Sequence, residues 1–128
     1  MDYSKEELEN ILTKKDISSQ ELEALLKARE EGKIEFKLVD IREVFEYDQA
    51  SIDGTDLLVP TSSIQQHFDK LEKIKDENIV LYCRTGNRTG QIMYALDNMG
   101  FPKVSHLYSG IISYSGKISH GAKLPNEL

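Results

Sequence analysis

Apolar residues along the chain alternate between helical spacing and short continuous runs. Leu8, Ile11 and Leu12 share one helical face, as do Leu22, Leu25 and Leu26. Both sets open on the same signal. Ser4 with Glu7 and Ser18 with Glu21 have capping-box spacing, while Tyr3–Leu8 and Ile17–Leu22 have the spacing of hydrophobic staples. A short helix is predicted within residues 1–16, and a second from Ser18 toward Gly32, where a glycine can end it. Phe36–Asp40 reads as a strand, 42–47 as a helix that Asp40 can cap, and Leu57–Val59 as a short strand stopped by Pro60. Thr61, Ser62 or Ser63 then caps a helix whose apolar face is Ile64, Phe68, Leu71 and Ile74. His67 sits beside that face as a packing residue. Ile79–Tyr82 is apolar throughout, the mark of a buried strand. Ile92, Ala95, Leu96 and Met99 return to helical spacing, and Gly100-Phe101-Pro102 closes that helix. Val104–Tyr108 is the last strand. A final helix is expected after Ser109-Gly110, and residues 121–128 read as a loop.

This alternation predicts an α/β fold of three layers: a mainly parallel central sheet with helices on both faces. The strand ending at Cys83 is expected at its centre, because it is apolar along its whole length. Residues 1–16 are taken as an N-terminal helical extension and residues 17–128 as one domain, with no internal repeat. The extension either packs on its own domain or docks on a partner.

The chemistry concentrates where that central strand stops. Cys83 is the only cysteine, and Arg84-Thr85-Gly86-Asn87-Arg88-Thr89 follows it directly. A thiol attacks as thiolate, and with an ordinary pKa of about 8.5 it needs help near neutrality. A loop curling over a helix start aims backbone N–H groups inward, and the helix dipole adds partial positive charge. Gly86 lets the backbone turn, and Arg84 and Arg88 carry forked donors suited to oxyanions. Hydrogen bonds to a charged group contribute about 1.5–3 kcal/mol each. Lowering a thiol pKa by two units takes about 2.7 kcal/mol. One or two contacts therefore suffice. A core cysteine has no need of such a run, so the motif reads as a cysteine nucleophile in an anion-binding loop, with an anion-binding loop without catalysis as the alternative.

The run Cys83–Thr89 resembles the active-site loop of rhodanese-like sulfurtransferases, and the likeness extends over about residues 17–118. The resemblance implies a relay in which Cys83 takes a sulfane sulfur, becomes a persulfide and passes the outer sulfur on. It implies that the amides from Arg84 to Thr89 hold the persulfide anion, and Arg84 and Arg88 would hold the oxyanion of a donor or a charged acceptor. Asp40-Ile41-Arg42-Glu43 resembles the family's second signature. Asp40 would brace the loops there, and Arg42 would point toward the pocket. Ser51-Ile52 stands where a His-Ile pair is common, and Ser109-Gly110 with Tyr114 stands in for a Gly-Gly and tryptophan ending. Related folds carry phosphatases and arsenate reductases, whose loops of the tyrosine-phosphatase type place five residues between cysteine and arginine. Here four residues separate Cys83 from Arg88, and Thr89 holds the next position, which favours sulfur over a phosphate group. A sulfur-carrier or protein-binding module without turnover is the third reading.

Charge and composition narrow the partners. The net charge of −6 argues against nucleic-acid binding and makes the arginines around Cys83 a local positive patch. No apolar run approaches a membrane span, and the acidic, polar start MDYSKEELEN is unlike a secretory signal. One cysteine forms no internal disulfide, and no Cys/His cluster suggests a metal. A cytoplasmic protein with a working thiol and no cofactor is expected. Its partners would be a small sulfur donor (thiosulfate, polysulfide or a persulfide) and a thiol or cyanide acceptor, a protein thiol among them. His106 and His120 show no partner pattern.

Overall fold

The two capping boxes close as their spacing requires. Ser4 and Ser18 accept from the amides of Glu7 and Glu21, whose carboxylates accept back from the serine amides. They start helices α1 (Lys5–Leu12) and α2 (Ser19–Glu30). The computed structural model describes residues 3–126. Between and after these helices come β1 (Asp16–Ile17), β2 (Lys37–Asp40), α3 (Val44–Gln49), β3 (Ser51–Ile52) and β4 (Leu57–Leu58). A 3₁₀ segment (Thr61–His67) leads into α4 (Phe68–Glu72), followed by β5 (Ile79–Tyr82), α5 (Asn87–Asn98) and β6 (Val104–Leu107). A single 3₁₀ turn (Ile111–Ser113) and β7 (Ile118–Ser119) complete the chain.

Five strands form one parallel sheet in the order β1-β6-β5-β2-β4, so the strand ending at Cys83 is central. Strand side chains alternate faces, and the core divides accordingly. Leu38, Val80 and Tyr82 join Leu8, Ile11, Leu22 and Leu25 on the α1–α2 side. Val39, Ile79, Leu81 and Cys83 join Leu71, Leu96 and Phe101 on the α4–α5 side. The fold is thus α/β in three layers. The α1 helix buries Leu8, Ile11 and Leu12 against the same cluster as α2.

Three features differ from the pattern-based expectation. Strands β1, β3 and β7 are two residues each, too short to show periodicity, and β3 pairs antiparallel with β7 outside the main sheet. The segment after Pro60 is largely 3₁₀, broken at Ser63, and only Phe68–Glu72 is α-helical. The expected final helix is one 3₁₀ turn. Its first two amides tie it to the cysteine turn, Ile111 N–H donating to the Cys83 carbonyl at 2.9 Å and Ile112 N–H to the Arg84 carbonyl at 3.2 Å, and the chain turns extended at Tyr114, where Ser115 N–H donates to Ser19 Oγ.

Candidate active site

Parallel pairing aligns Asp40 at the end of β2 with Tyr82 at the end of β5. Cys83 therefore lies at the carboxyl edge of the sheet, where open α/β sheets place their sites. Helix α5 begins at Asn87, five residues before its first apolar position at Ile92, with Gly86 as its N-cap. What reads in sequence as a polar loop is thus a three-residue turn followed by the first helical turn. Periodicity marks only residues that need burial, and the exposed Asn87 and half-exposed Arg88 carry no such mark.

Gly86 N–H donates to Cys83 Sγ at 3.1 Å. The amides of Thr85 and Thr89 also act on the sulfur, and the Thr89 hydroxyl lies 3.7 Å from it. Burial favours the neutral thiol. The Thr89 amide and hydroxyl, with the amides of Gly86 and Thr85, outweigh it and hold the thiol below its ordinary pKa. Cys83 forms the floor of this turn with 1 % of its surface exposed, while Arg84, Thr85 and Asn87 at the rim are exposed.

Two glycines set the shape of the turn. Gly86 has φ of +98° and Gly110 has φ of +74°. A Cβ on Gly86 would collide with the Tyr108 carbonyl, and one on Gly110 with the Arg84 carbonyl. The chain after β6 is thus pressed against the back of the cysteine turn, and the resemblance to a Gly-Gly ending has its physical content at Gly110.

The charged side chains are more committed than the sequence implied. Arg88 donates from both terminal nitrogens to the Glu46 carboxylate, 3.1 Å each. Glu46 is in turn fixed by accepting from the Glu43 amide at the start of α3. The local positive patch is therefore partly neutralised. Burial raises the Glu46 carboxyl, but the bonds from Arg88 and the Glu43 amide outweigh it and leave its pKa below the usual range. Arg84 is exposed, and its side chain makes no hydrogen bond among the described residues.

Arg42 requires a correction. It was expected to reach toward the pocket, but it is 4 % exposed and turned into the protein. Its Nε and Nη2 donate to Asp40 at 2.8–3.2 Å, and Nη2 also donates to the Ala50 carbonyl at 2.6 Å. A fully buried carboxylate needs a paired cation more than a solvated pocket does. Asp40 does not cap a helix either. It accepts from Arg42 N–H, and α3 starts at Val44 with Glu43 at its cap position.

His106, which showed no partner in sequence, is held at both ring nitrogens. Nδ1 is 2.6 Å from Thr89 Oγ1 and Nε2 is 2.9 Å from Asp16 Oδ1. Glu46, His106 and Asp16 all escaped sequence reasoning. The partners in these pairs lie 17, 42 or 90 positions apart, and no local spacing joins them. His120 Nδ1 donates to the Gln49 carbonyl, 2.9 Å away. No group of His, Cys, Asp and Glu among the described residues could hold a metal ion, and no described helix is long and apolar enough to cross a membrane.

A family model described as a rhodanese-like domain matches residues 20–117. The chain belongs to the rhodanese-like domain family. Over 78 residues it is 35 % identical to a probable adenylyltransferase/sulfurtransferase MoeZ of Mycobacterium tuberculosis, covering 61 % of this chain and 20 % of that protein. Over 112 residues it is 30 % identical to a tRNA uridine(34) hydroxylase of Erwinia tasmaniensis, covering 81 % of this chain and 32 % of that protein. The chain spans about a fifth to a third of the length of these relatives. Among solved structures, a thiosulfate sulfurtransferase from Pseudomonas aeruginosa superposes with a TM-score of 0.71 at 25 % identity, over 94 % of this chain and 23 % of that one. A rhodanese-related protein from Thermoplasma volcanium superposes with a TM-score of 0.68 at 23 % identity, over 83 % and 98 % of the two chains. That second likeness is one of fold.

Proposed function

We propose that this rhodanese-like domain is a sulfurtransferase in which Cys83 carries the transferred sulfur as a persulfide. The observation supporting this most directly is the Gly86 N–H donating to Cys83 Sγ at 3.1 Å, at the start of α5. A thiolate there is stabilised by donors and by the helix dipole before any substrate arrives. In the first half-reaction the Cys83 thiolate attacks the outer sulfur of thiosulfate. The Cys83 S–S bond forms, the donor S–S bond breaks and sulfite leaves with the electron pair. In the second, cyanide or a thiolate attacks the outer sulfur of the persulfide and regenerates the Cys83 thiolate. No net redox partner or general base is required once the thiolate exists. Polysulfides and low-molecular-weight or protein persulfides are donors of the same chemistry.

Arg84 is exposed at the rim, makes no side-chain hydrogen bond among the described residues and is the better placed to meet a donor oxyanion, while Arg88 shapes the entrance together with Glu46. The amides of Thr85, Gly86 and Thr89 hold the persulfide charge. Asp40 and Arg42 support the loops from beneath rather than touch substrate. The competing phosphatase or arsenate-reductase reading wants a free arginine wrapping a tetrahedral anion, and Arg88 is engaged with Glu46 through both terminal nitrogens.

The test is a donor and acceptor panel with mass spectrometry of the protein. Incubation with thiosulfate or polysulfide should add the mass of one sulfur atom at Cys83, and cyanide should remove it as thiocyanate. Cys83→Ser should lose both steps. Turnover retained in that variant, or Cys83-dependent hydrolysis of an aryl phosphate, would overturn the assignment. Loading without multiple turnover would place the protein with sulfur carriers.

A further inference from the structure

Behind Cys83 runs an unbroken chain of polar contacts that the transfer chemistry above does not use. Cys83 Sγ is 3.7 Å from Thr89 Oγ1, Thr89 Oγ1 is 2.6 Å from His106 Nδ1, and His106 Nε2 is 2.9 Å from Asp16 Oδ1. Thr89 is fully buried and His106 is 6 % exposed, whereas the Asp16 side chain is 68 % exposed. The chain therefore leads from a buried sulfur to a solvated carboxylate. It crosses three elements (α5, β6 and β1) and ends where Asp16 pairs with His106 across the β1–β6 ladder.

The proton inventory restricts what this chain can do. A carboxylate only accepts, so His106 Nε2 carries a hydrogen. A threonine hydroxyl has one proton and faces three acceptors here: the Gly86 carbonyl at 3.0 Å, His106 Nδ1 and Cys83 Sγ. When the imidazole is neutral, the hydroxyl donates to Nδ1 and turns a lone pair toward the thiol. When the imidazole is protonated, Nδ1–H donates to Thr89, and the hydroxyl proton is released toward the sulfur or the Gly86 carbonyl. The charge on His106 thus sets the polarity of the group beside the thiol.

Resting on the sulfurtransferase reading for its use, we propose that His106, held by Asp16, takes the proton of Cys83 through the Thr89 hydroxyl. The S–H bond breaks as its proton passes to Thr89 Oγ1, and the original hydroxyl proton of Thr89 passes to His106 Nδ1. The products are a thiolate and an imidazolium, and no oxidant or reductant enters. His106 acts through Thr89 and is a positioning residue, one that lets a thiol nearly sealed from solvent ionise without a water path.

Other charges facing these groups are few. Just before β1, Lys15 lies 3.4 Å from the Val104 carbonyl and 3.9 Å from Asp97 of α5. On the sulfur side stand Arg88 and its partner Glu46. Lys15 is paired with Asp97 and Arg88 with Glu46, so among the described residues Asp16 is the carboxylate in contact with His106 that can compensate an imidazolium.

The experiment is the pH profile of Cys83 ionisation, read by iodoacetamide alkylation and thiolate ultraviolet absorbance, on the full chain and without a sulfur donor. His106→Gln should raise the midpoint by about one unit and slow alkylation near neutrality about tenfold. Thr89→Val should shift it likewise, and Thr89→Ser should recover it. In the Thr89→Val background His106→Gln should add nothing, because the coupling passes through the hydroxyl. An unchanged midpoint in His106→Gln, or additive shifts, would overturn the proposal. Should His106→Gln not fold, ring NMR of His106 decides the matter. Its titration should move to lower pH in Cys83→Ala, since the thiolate favours the imidazolium, and an identical titration would sink the idea. Failure to load sulfur with the coupling intact counts against the transferase reading alone.

Discussion

Gly86 lies directly against the carbonyl of Tyr108, so close that a Cβ on Gly86 would fall well inside 3.0 Å of that oxygen. The contact joins the cysteine turn to the end of β6, and it aims the Gly86 amide at the sulfur. Backbone on backbone cannot give way as a flexible side chain can. Gly86→Ala should therefore cost about 1–2 kcal/mol for the left-handed conformation, and about 1–3 kcal/mol more for overpacking. Denaturant unfolding should show the loss, and Cys83 alkylation should slow as the amide turns away. Stability and reactivity equal to the parent would mean that the contact does not shape the turn.

The depressed thiol pKa has a definite sign. The thiolate fraction rises with pH through a midpoint below that of a free thiol. Folding is linked in the same direction: the stabilisation is full above the unfolded value and is lost as pH falls through the folded one. Alkylation profiles of folded and guanidinium-unfolded protein should separate accordingly, the folded one lying lower. With 1 % of Cys83 exposed, iodoacetamide should gain on a bulky maleimide relative to their ratio on a free thiol. Overlapping profiles would remove the ground for a resting thiolate.

The Arg88–Glu46 pair belongs to the entrance rather than to stability. The Arg88 side chain is 35 % exposed, so Glu46→Gln should change unfolding free energy by less than about 1 kcal/mol. The KM for thiosulfate should change instead, with kcat little affected, because the variant frees the arginine from its bidentate grip. Glu46 titrates below the usual carboxylate range. The pair's contribution is thus present above about pH 4.3 and is lost as pH falls through the folded value. Parent and variant should converge in stability at acid pH, and a constant difference would assign the effect to packing.

Asp40 and Arg42 show the opposite balance. Both are buried, with side-chain exposures of 0 % and 5 %. Removing one partner leaves the other charge buried and unpaired, which costs about 3–5 kcal/mol. Asp40→Ala should lower the melting temperature sharply while folded material keeps a reactive Cys83. A folded variant with normal stability but no sulfur transfer would instead return Arg42 to the substrate.

The sequence carried a good part of this in local signals. The capping boxes at Ser4 and Ser18 and the apolar run Ile79–Tyr82 all appear as read, because each depends on residues within four positions of one another. The expected last helix stops after one turn for a non-local reason: Tyr114 is already extended, Ser115 N–H donates to Ser19 Oγ, and Ile118–Ser119 pairs with β3. Arg42 was misplaced because sequence records its charge but not the depth at which Asp40 is buried.

By itself the sequence determined the α/β alternation, the lone thiol at the end of the central strand and the donors that follow it. These depend on periodicity, turn chemistry and residue type. Only the tertiary structure decided which side chains surround that thiol. Asp16 meets His106 and Glu46 meets Arg88 through strand order and packing, across 90 and 42 positions, distances over which a chain's local preferences say nothing about contact.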